Sequence, residues 1–119
     1  MPTKATVLIV DDNEDFRESL CDILQDWNYK ALSASSGVIA LERMNNTHVD
    51  VVLLDMRMPD MSGLDCLKLI SKQHPDVKVV MITAYPEEEK KALENGAMDI
   101  LIKPLHLRTF RELLDKLTR

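Results

Sequence analysis

Four apolar runs, each closing on a charged or hydroxyl side chain, set the rhythm of the chain. Residues 6–10 (Thr-Val-Leu-Ile-Val) run into Asp11 and Asp12, and Val51-Val-Leu-Leu runs into Asp55. Residues 77–82 (Val-Lys-Val-Val-Met-Ile) run into Thr83, and residues 99–102 (Asp-Ile-Leu-Ile) into Lys103. Apolar stretches of this length predict strands covered on both faces, as in a parallel sheet. The strand ahead of Asp55 is placed at residues 50–54, and a weaker one at residues 29–34 reads as a sheet edge.

Between the strands the apolar spacing changes to three and four. Residues 13–27 put Phe16, Leu20, Ile23, Leu24 and Trp27 on one helical face, with Glu14 and Asp15 at the positive end of the dipole and Asn28 as a stop. Ser35 and Ser36 can cap a second helix, whose buried face is expected to carry Val38, Leu41 and Met44 before Asn45-Asn46 ends it. Ser62 caps a third, with Leu64, Leu67 and Ile70 inward, until His74-Pro75-Asp76 breaks it. Pro86 suits the first turn of a fourth, Glu87-Glu88-Glu89 followed by Lys90-Lys91 matches its dipole, and Gly96 stops it. A fifth covers residues 107–117, with Leu107, Phe110, Leu114 and Leu117 inward. Strands alternating with helices in this way predict a three-layer α/β sandwich with right-handed crossovers.

A length of 119 residues fits one domain, and 45% hydrophobic with 29% charged residues fits a folded globule rather than a disordered chain. No apolar run reaches membrane-spanning length, and the N-terminus lacks a signal-peptide core, so the protein is expected in the cytoplasm. A net charge of −5 without a basic patch disfavours direct contact with nucleic acid or an anionic membrane. Cys21 and Cys66 fall in two predicted helices without metal-type spacing and are expected to be buried thiols.

Candidate chemistry lies where the strands end, because the crevice of an open parallel sheet is at the carboxyl ends of its strands. Asp11, Asp12 and Asp55 are hard oxygen donors, and carboxylates that close raise each other's pKa unless a cation neutralises them. Mg²⁺ is suited to such a site, since it typically takes one or two carboxylates and keeps several waters. Lys103 adds a point charge for a phosphate oxygen and Thr83 a hydroxyl donor. Taken singly, each of these residues is an ordinary turn, cap or solvated side chain. Together at successive strand ends they outline a phosphoryl-transfer site with Asp55 as the nucleophile.

These residues stand in segments that resemble the receiver domain of bacterial two-component response regulators. The resembling stretches are Val7-Leu-Ile-Val-Asp-Asp12 with Asn13, Val52-Leu-Leu-Asp-Met-Arg-Met-Pro-Asp-Met-Ser-Gly63, Val80-Met-Ile-Thr-Ala84 and Gly96-Ala-Met-Asp-Ile-Leu-Ile-Lys-Pro104, spread in order over the whole chain. The resemblance implies a flavodoxin-like (βα)5 fold of sheet order 2-1-3-4-5, the order that flavodoxin shares with a chemotaxis receiver. It implies that Asp55 accepts a phosphoryl group from a phosphohistidine on a sensor histidine kinase or histidine phosphotransfer protein. It implies Mg²⁺, with Mn²⁺ able to substitute, on Asp12, Asp55 and the backbone carbonyl of Arg57, with Asp11 acting through a metal-bound water. Thr83 and Lys103 would hold the phosphoryl oxygens, and the Lys103–Pro104 bond would be cis. The receiver would catalyse only its own phosphorylation and slow hydrolysis, and would change its protein contacts through the helix 4–strand 5–helix 5 face.

The chain departs from the family at Ile100, where a Tyr or Phe is usual. Either the stiff β-branched side chain alters the readout, or Ile100 is simply core. Arg57 and Tyr85 stand two residues after Asp55 and Thr83, and either shield the site from water or are two exposed loop side chains. An aspartate-dependent phosphatase would need a second Asp at position 57. A nucleotide or flavin carrier would need a phosphate-cradling loop where the acidic Asp11–Asp15 segment stands. A degenerate receiver serving only as a binding module is opposed by Asp12, Asp55, Thr83 and Lys103 all being present. The output is either a downstream protein met by a stand-alone receiver or an effector domain C-terminal to residue 119. Met1 near the first strand favours a natural start, and a phosphorylation-linked homodimer is a further expectation from the family.

Overall fold

The computed structural model describes residues 3–119; Met1, on which the expected natural start rests, lies outside the described residues. The described chain alternates β1 (Thr6–Val10), α1 (Glu14–Asp26), β2 (Lys30–Ala34), α2 (Gly37–Asn46), β3 (Val51–Asp55), α3 (Gly63–Gln73), β4 (Lys78–Thr83), α4 (Glu89–Glu94), β5 (Asp99–Ile102) and α5 (Leu107–Leu117). The strands form one five-stranded sheet of order β2-β1-β3-β4-β5, and every pairing is parallel. This is the flavodoxin-like sandwich and the sheet order expected from the sequence.

Strand residues alternate between two cores, as a pleated sheet requires. Val7, Ile9, Val51, Leu53, Val80, Ile82 and Leu101 face Leu20 and Leu24 of α1 and Phe110 and Leu114 of α5. Leu8, Val10, Val52, Leu54, Val79, Met81 and Ile100 face Ala40 and Met44 of α2, Cys66, Leu67 and Ile70 of α3, and Ala92 of α4. Covering on both faces is what makes β3 read as a continuous apolar run.

Side chains at the helix ends do as their types dictate. Asn13, Ser36 and Ser62 cap α1, α2 and α3 by accepting from Phe16, Ile39 and Asp65 backbone N–H groups. Asn28 follows α1 with φ +68°, and Gly96 follows α4 with φ +108°, the left-handed region that ends a helix. Tyr29, buried at the start of the edge strand, donates its hydroxyl to Asp115 at 2.6 Å, joining that edge to α5. Burial, with the Asp115 carboxylate beside it, pushes the Tyr29 phenol up to about 12.

Several expectations need correction. Val38 and Leu107 are 49% and 48% exposed rather than inward. Of the expected face of α2, Met44 is buried and Leu41 packs against the core, with Ala40 buried beside them, while Gly37 is buried against Met61 and Cys66. Leu107 is the first residue of α5, and only from Phe110 does that helix lie against the core. Cys66 is buried as expected, but Cys21 is half-buried. Pro86–Glu88 forms a 3-10 turn, leaving α4 only six residues long. β3 and β4 each reach one residue further than expected, because Asp55 pairs with Ile82 and Thr83 with Ile102.

At the opposite, amino end of the sheet, Asp50 Oδ2 accepts from the Thr6 backbone N–H at 2.8 Å. That bond, with His48 beside the carboxylate, holds the Asp50 carboxyl below its ordinary value. A lowered carboxyl stabilises the fold above the ordinary carboxylate range, and the contribution is lost as pH falls through the lowered value. Asp50→Asn is expected to lower Tm by a few degrees at pH 7. The gap to wild type should close as pH falls below ~4, measured by thermal unfolding across that range.

Candidate phosphoryl-acceptor site

The parallel strands deliver the expected side chains to one edge. Asp11 follows the last residue of β1, Asp55 ends β3, Thr83 ends β4, and Lys103 follows β5 with a cis bond to Pro104. Asp11, Asp55 and Thr83 are buried, whereas Asp12 is exposed. One carboxylate oxygen from each of Asp11, Asp12 and Asp55 lies within 4.8 Å of the others. Lys103 Nζ stands 3.4 Å from Asp11 Oδ2 and 3.8 Å from Asp55 Oδ1, and 4.7 Å from the centre of the Phe16 ring. The aromatic face of α1 and two carboxylates thus fix the ammonium over the site.

Local backbone holds this arrangement. Asp11 Oδ1 accepts from the Asn13 N–H at 2.9 Å, and its carbonyl accepts from Arg17 at 2.7 Å, which ties the site to the first turn of α1. The loop after Asp55 turns back at Gly63, whose N–H donates to the Met56 carbonyl at 2.8 Å. A Cβ on Gly63 would meet the Asp55 carbonyl oxygen at 2.2 Å, so the return of the loop under Asp55 requires glycine. Asp60, on the same loop, accepts from the Gly37 and Val38 N–H groups at 3.3 and 3.1 Å and so joins the loop to the start of α2.

Burial, then the neighbouring Asp11 charge, pushes the Asp55 carboxyl up to about 6, with Asp12 adding a smaller push; the Lys103 ammonium and the Arg57 backbone N–H pull the other way. Three crowded carboxylates against one ammonium form a hard-oxygen donor set with an excess of negative charge, which fits a hard divalent cation such as Mg²⁺. Of Arg57, the backbone N–H is the group placed at Asp55.

A second cluster borders the first. Thr83 Oγ1 donates to Glu88 Oε1 at 2.5 Å and accepts from the Tyr85 N–H at 3.1 Å. Arg57 lies with its guanidinium carbon 3.9 Å from the centre of the Tyr85 ring, and its Nη2 is 3.8 Å from Glu88 Oε2. Arg57 and Tyr85 are exposed, yet stacked rather than independent. Glu88 was legible in the sequence only as one of three acidic residues at a helix start. Nothing in that run distinguishes it from Glu87 or Glu89, and Phe16 and Asp60 likewise carried no signal of their contacts with the site. Ile100 is buried among the α2–α3–α4 core.

A doubly wound parallel sheet with an acidic cluster and a lysine at its carboxyl edge defines the class of small α/β signalling modules. The chain belongs to the response regulator receiver domain family, whose profile matches residues 7–115. It is 38% identical to the transcriptional regulatory protein ZraR of Escherichia coli over 92% of this chain and 25% of ZraR. It is 40% identical to the response regulator protein PilR of Pseudomonas aeruginosa over 94% of this chain and 26% of PilR. The chain therefore spans about a quarter of the length of these curated relatives. Among solved structures it is similar to the chemotaxis protein CheY4 of Vibrio cholerae (TM-score 0.88, 30% identity, 95% of this chain and 98% of that one). It is equally similar to the response regulator TrrA of Thermotoga maritima (TM-score 0.88, 31% identity, 95% and 98% coverage), solved in complex with Mg²⁺ and BeF. The protein is thus a receiver domain of a two-component response regulator, a family whose general function is phosphorylation-dependent signalling. Among the described residues no helix is long and apolar enough to cross a membrane.

The charge imbalance makes a stability test available. In metal-free buffer at pH 8, Asp55→Asn is expected to raise Tm, because it removes one of three crowded charges. Mg²⁺ is expected to raise the wild-type Tm, with stabilisation of about 2.7 kcal/mol at a hundredfold excess over Kd. Thermal unfolding of Asp12→Asn and Asp55→Asn should show most of that Mg²⁺ shift gone.

Proposed function

We propose that residues 1–119 act as one receiver unit that takes a phosphoryl group onto Asp55 from the phosphohistidine of a sensor histidine kinase or histidine phosphotransfer protein. The observation that carries this is the position of Asp55, at the end of a buried strand, with Lys103 3.8 Å from its Oδ1 and the Asp11 and Asp12 carboxylates beside it. An Asp55 carboxylate oxygen attacks phosphorus, the P–N bond to the donor imidazole breaks, and its electron pair leaves with the ring nitrogen. Asp12, Asp55 and the Arg57 carbonyl would hold Mg²⁺, or Mn²⁺ in its place, with Asp11 acting through a bound water. The ion would supply charge neutralisation for the incoming phosphoryl oxygens. Lys103 holds one phosphoryl oxygen through its ammonium, and Thr83 another through its hydroxyl.

The product is a state of the protein rather than a released compound, so the role is a switch and not substrate turnover. Its readout is a change of protein contacts on the α4–β5–α5 face, toward a downstream protein, a C-terminal effector domain or a second copy of the chain. The greater length of ZraR and PilR supports the effector-domain case. The setting is the cytoplasm, without direct nucleic-acid or membrane contact by this domain. Arg57 and Tyr85, stacked on each other and two residues after Asp55 and Thr83, would slow attack of water on the acyl phosphate.

Incubation with Mg²⁺ and acetyl phosphate, followed by intact-mass analysis, is expected to give one phosphoryl adduct in the wild type. Neither Asp55→Asn nor a sample treated with chelator should give it. A wild type that binds Mg²⁺ without forming the adduct would overturn the acceptor role and leave a binding module that works unphosphorylated.

Decay of the isolated adduct tests the role of this stack. Arg57→Ala and Tyr85→Ala, singly and together, are expected to shorten its lifetime severalfold by time-resolved mass analysis. Unchanged decay in the double variant would show that the stack does not limit water access.

A further inference from the structure

Thr83 has one hydroxyl proton, and Glu88 holds it. A threonine hydroxyl can donate once, so it cannot serve Glu88 and a phosphoryl oxygen together. The contact is short, 2.5 Å, and runs from a hydroxyl to an ionisable carboxyl group, a class stronger than neutral hydrogen bonds. The Tyr85 N–H fixes the same oxygen from another side at 3.1 Å. Glu88 also meets Arg57, whose guanidinium lies over Tyr85. One glutamate thus engages both the hydroxyl and the arginine that border the acceptor.

We propose that Glu88 is a positioning residue that stands in for the phosphoryl group in the resting protein. It holds the Thr83 hydroxyl, with Arg57 beside it, until an anion on Asp55 takes that hydroxyl away. Glu88 ends the 3-10 turn and precedes the first residue of α4. Loss of the Thr83 bond therefore frees the start of α4 directly. The route needs no aromatic side chain on β5, where Ile100 is packed into the core. The inference rests on the receiver chemistry proposed above and adds to it what Thr83 must give up.

Two effects of removing Glu88 have to be separated. A negative charge near the acceptor disfavours any anion there, whatever Thr83 does. The hydrogen bond disfavours it only when a hydroxyl is present. Titration with Mg²⁺ and beryllofluoride, a phosphoryl mimic, followed by amide NMR, separates them in a double-mutant cycle. Glu88→Ala is expected to bind the mimic about tenfold tighter than wild type, and Glu88→Gln, which keeps a neutral acceptor, by less. In a Thr83→Ala background the gain from Glu88→Ala should fall to about threefold or lower, and Thr83→Ser, which retains the hydroxyl, should restore it. Without the mimic, amides of residues 87–94 in Glu88→Ala should already lie partway toward their wild-type bound positions.

Equal gains with and without the Thr83 hydroxyl would overturn the proposal and leave only a field effect of Glu88. No gain in either background, with the wild type binding the mimic, would overturn it outright. A wild type that fails to bind the mimic would overturn the receiver chemistry itself, and the role of Glu88 with it.

Discussion

Crowded negative charge at the end of a buried sheet is the constraint on which the site depends. Asp11 and Asp55 are nearly out of solvent, Asp12 adds a third carboxylate, and one ammonium lies between them and the ring of Phe16. Burial and mutual repulsion make this edge unfavourable as a set of free carboxylates, which is why the Asp55 carboxyl is pushed up. A divalent cation is what such an edge is short of, because it cancels the repulsion among the three carboxylates. The repulsion is tolerated because β1, β3 and β4 are anchored by two cores, one on each face, that do not involve the site residues.

The loops translate that constraint into geometry. Gly63 lets the loop after Asp55 fold back beneath it, Asp60 ties the same loop to α2, and Asn13 and Arg17 tie Asp11 to α1. The loop after Asp55, α2 and α1 are thus three elements joined around the site and packed rather than free. The Thr83–Glu88–Arg57–Tyr85 cluster adds a fourth, at the entrance to a helix only six residues long. Short helices have little cooperativity of their own, and α4 depends on the burial of Ala92, with Ala97 just beyond its end, and on its first turn.

Much of the fold was legible in the sequence, because two-sided burial writes itself as unbroken apolar runs and amphipathic helices write themselves as three-and-four spacing. The runs ending at Asp11, Asp55, Thr83 and Lys103 placed each of these side chains at a strand end, and parallel pairing brought them to one edge. The errors fell where packing, not periodicity, decides. Val38 and Leu107 have the right spacing but lie exposed in the first turns of α2 and α5, and Gly37, buried against Met61 and Cys66, is singled out by no hydrophobicity pattern.

By itself the sequence determined the order of elements, the apolar faces of the strands, the helix caps at Ser36 and Ser62, and the identity of the charged residues that a parallel sheet must gather. Those follow from local chemistry: backbone period, side-chain shape and capping. Only the tertiary structure decided which acidic residue among Glu87, Glu88 and Glu89 reaches Thr83, that Arg57 lies on Tyr85, that Asp60 holds α2, and that Phe16 backs Lys103. Such contacts join side chains from different turns and loops, and their distances depend on how the layers pack, which no single segment encodes.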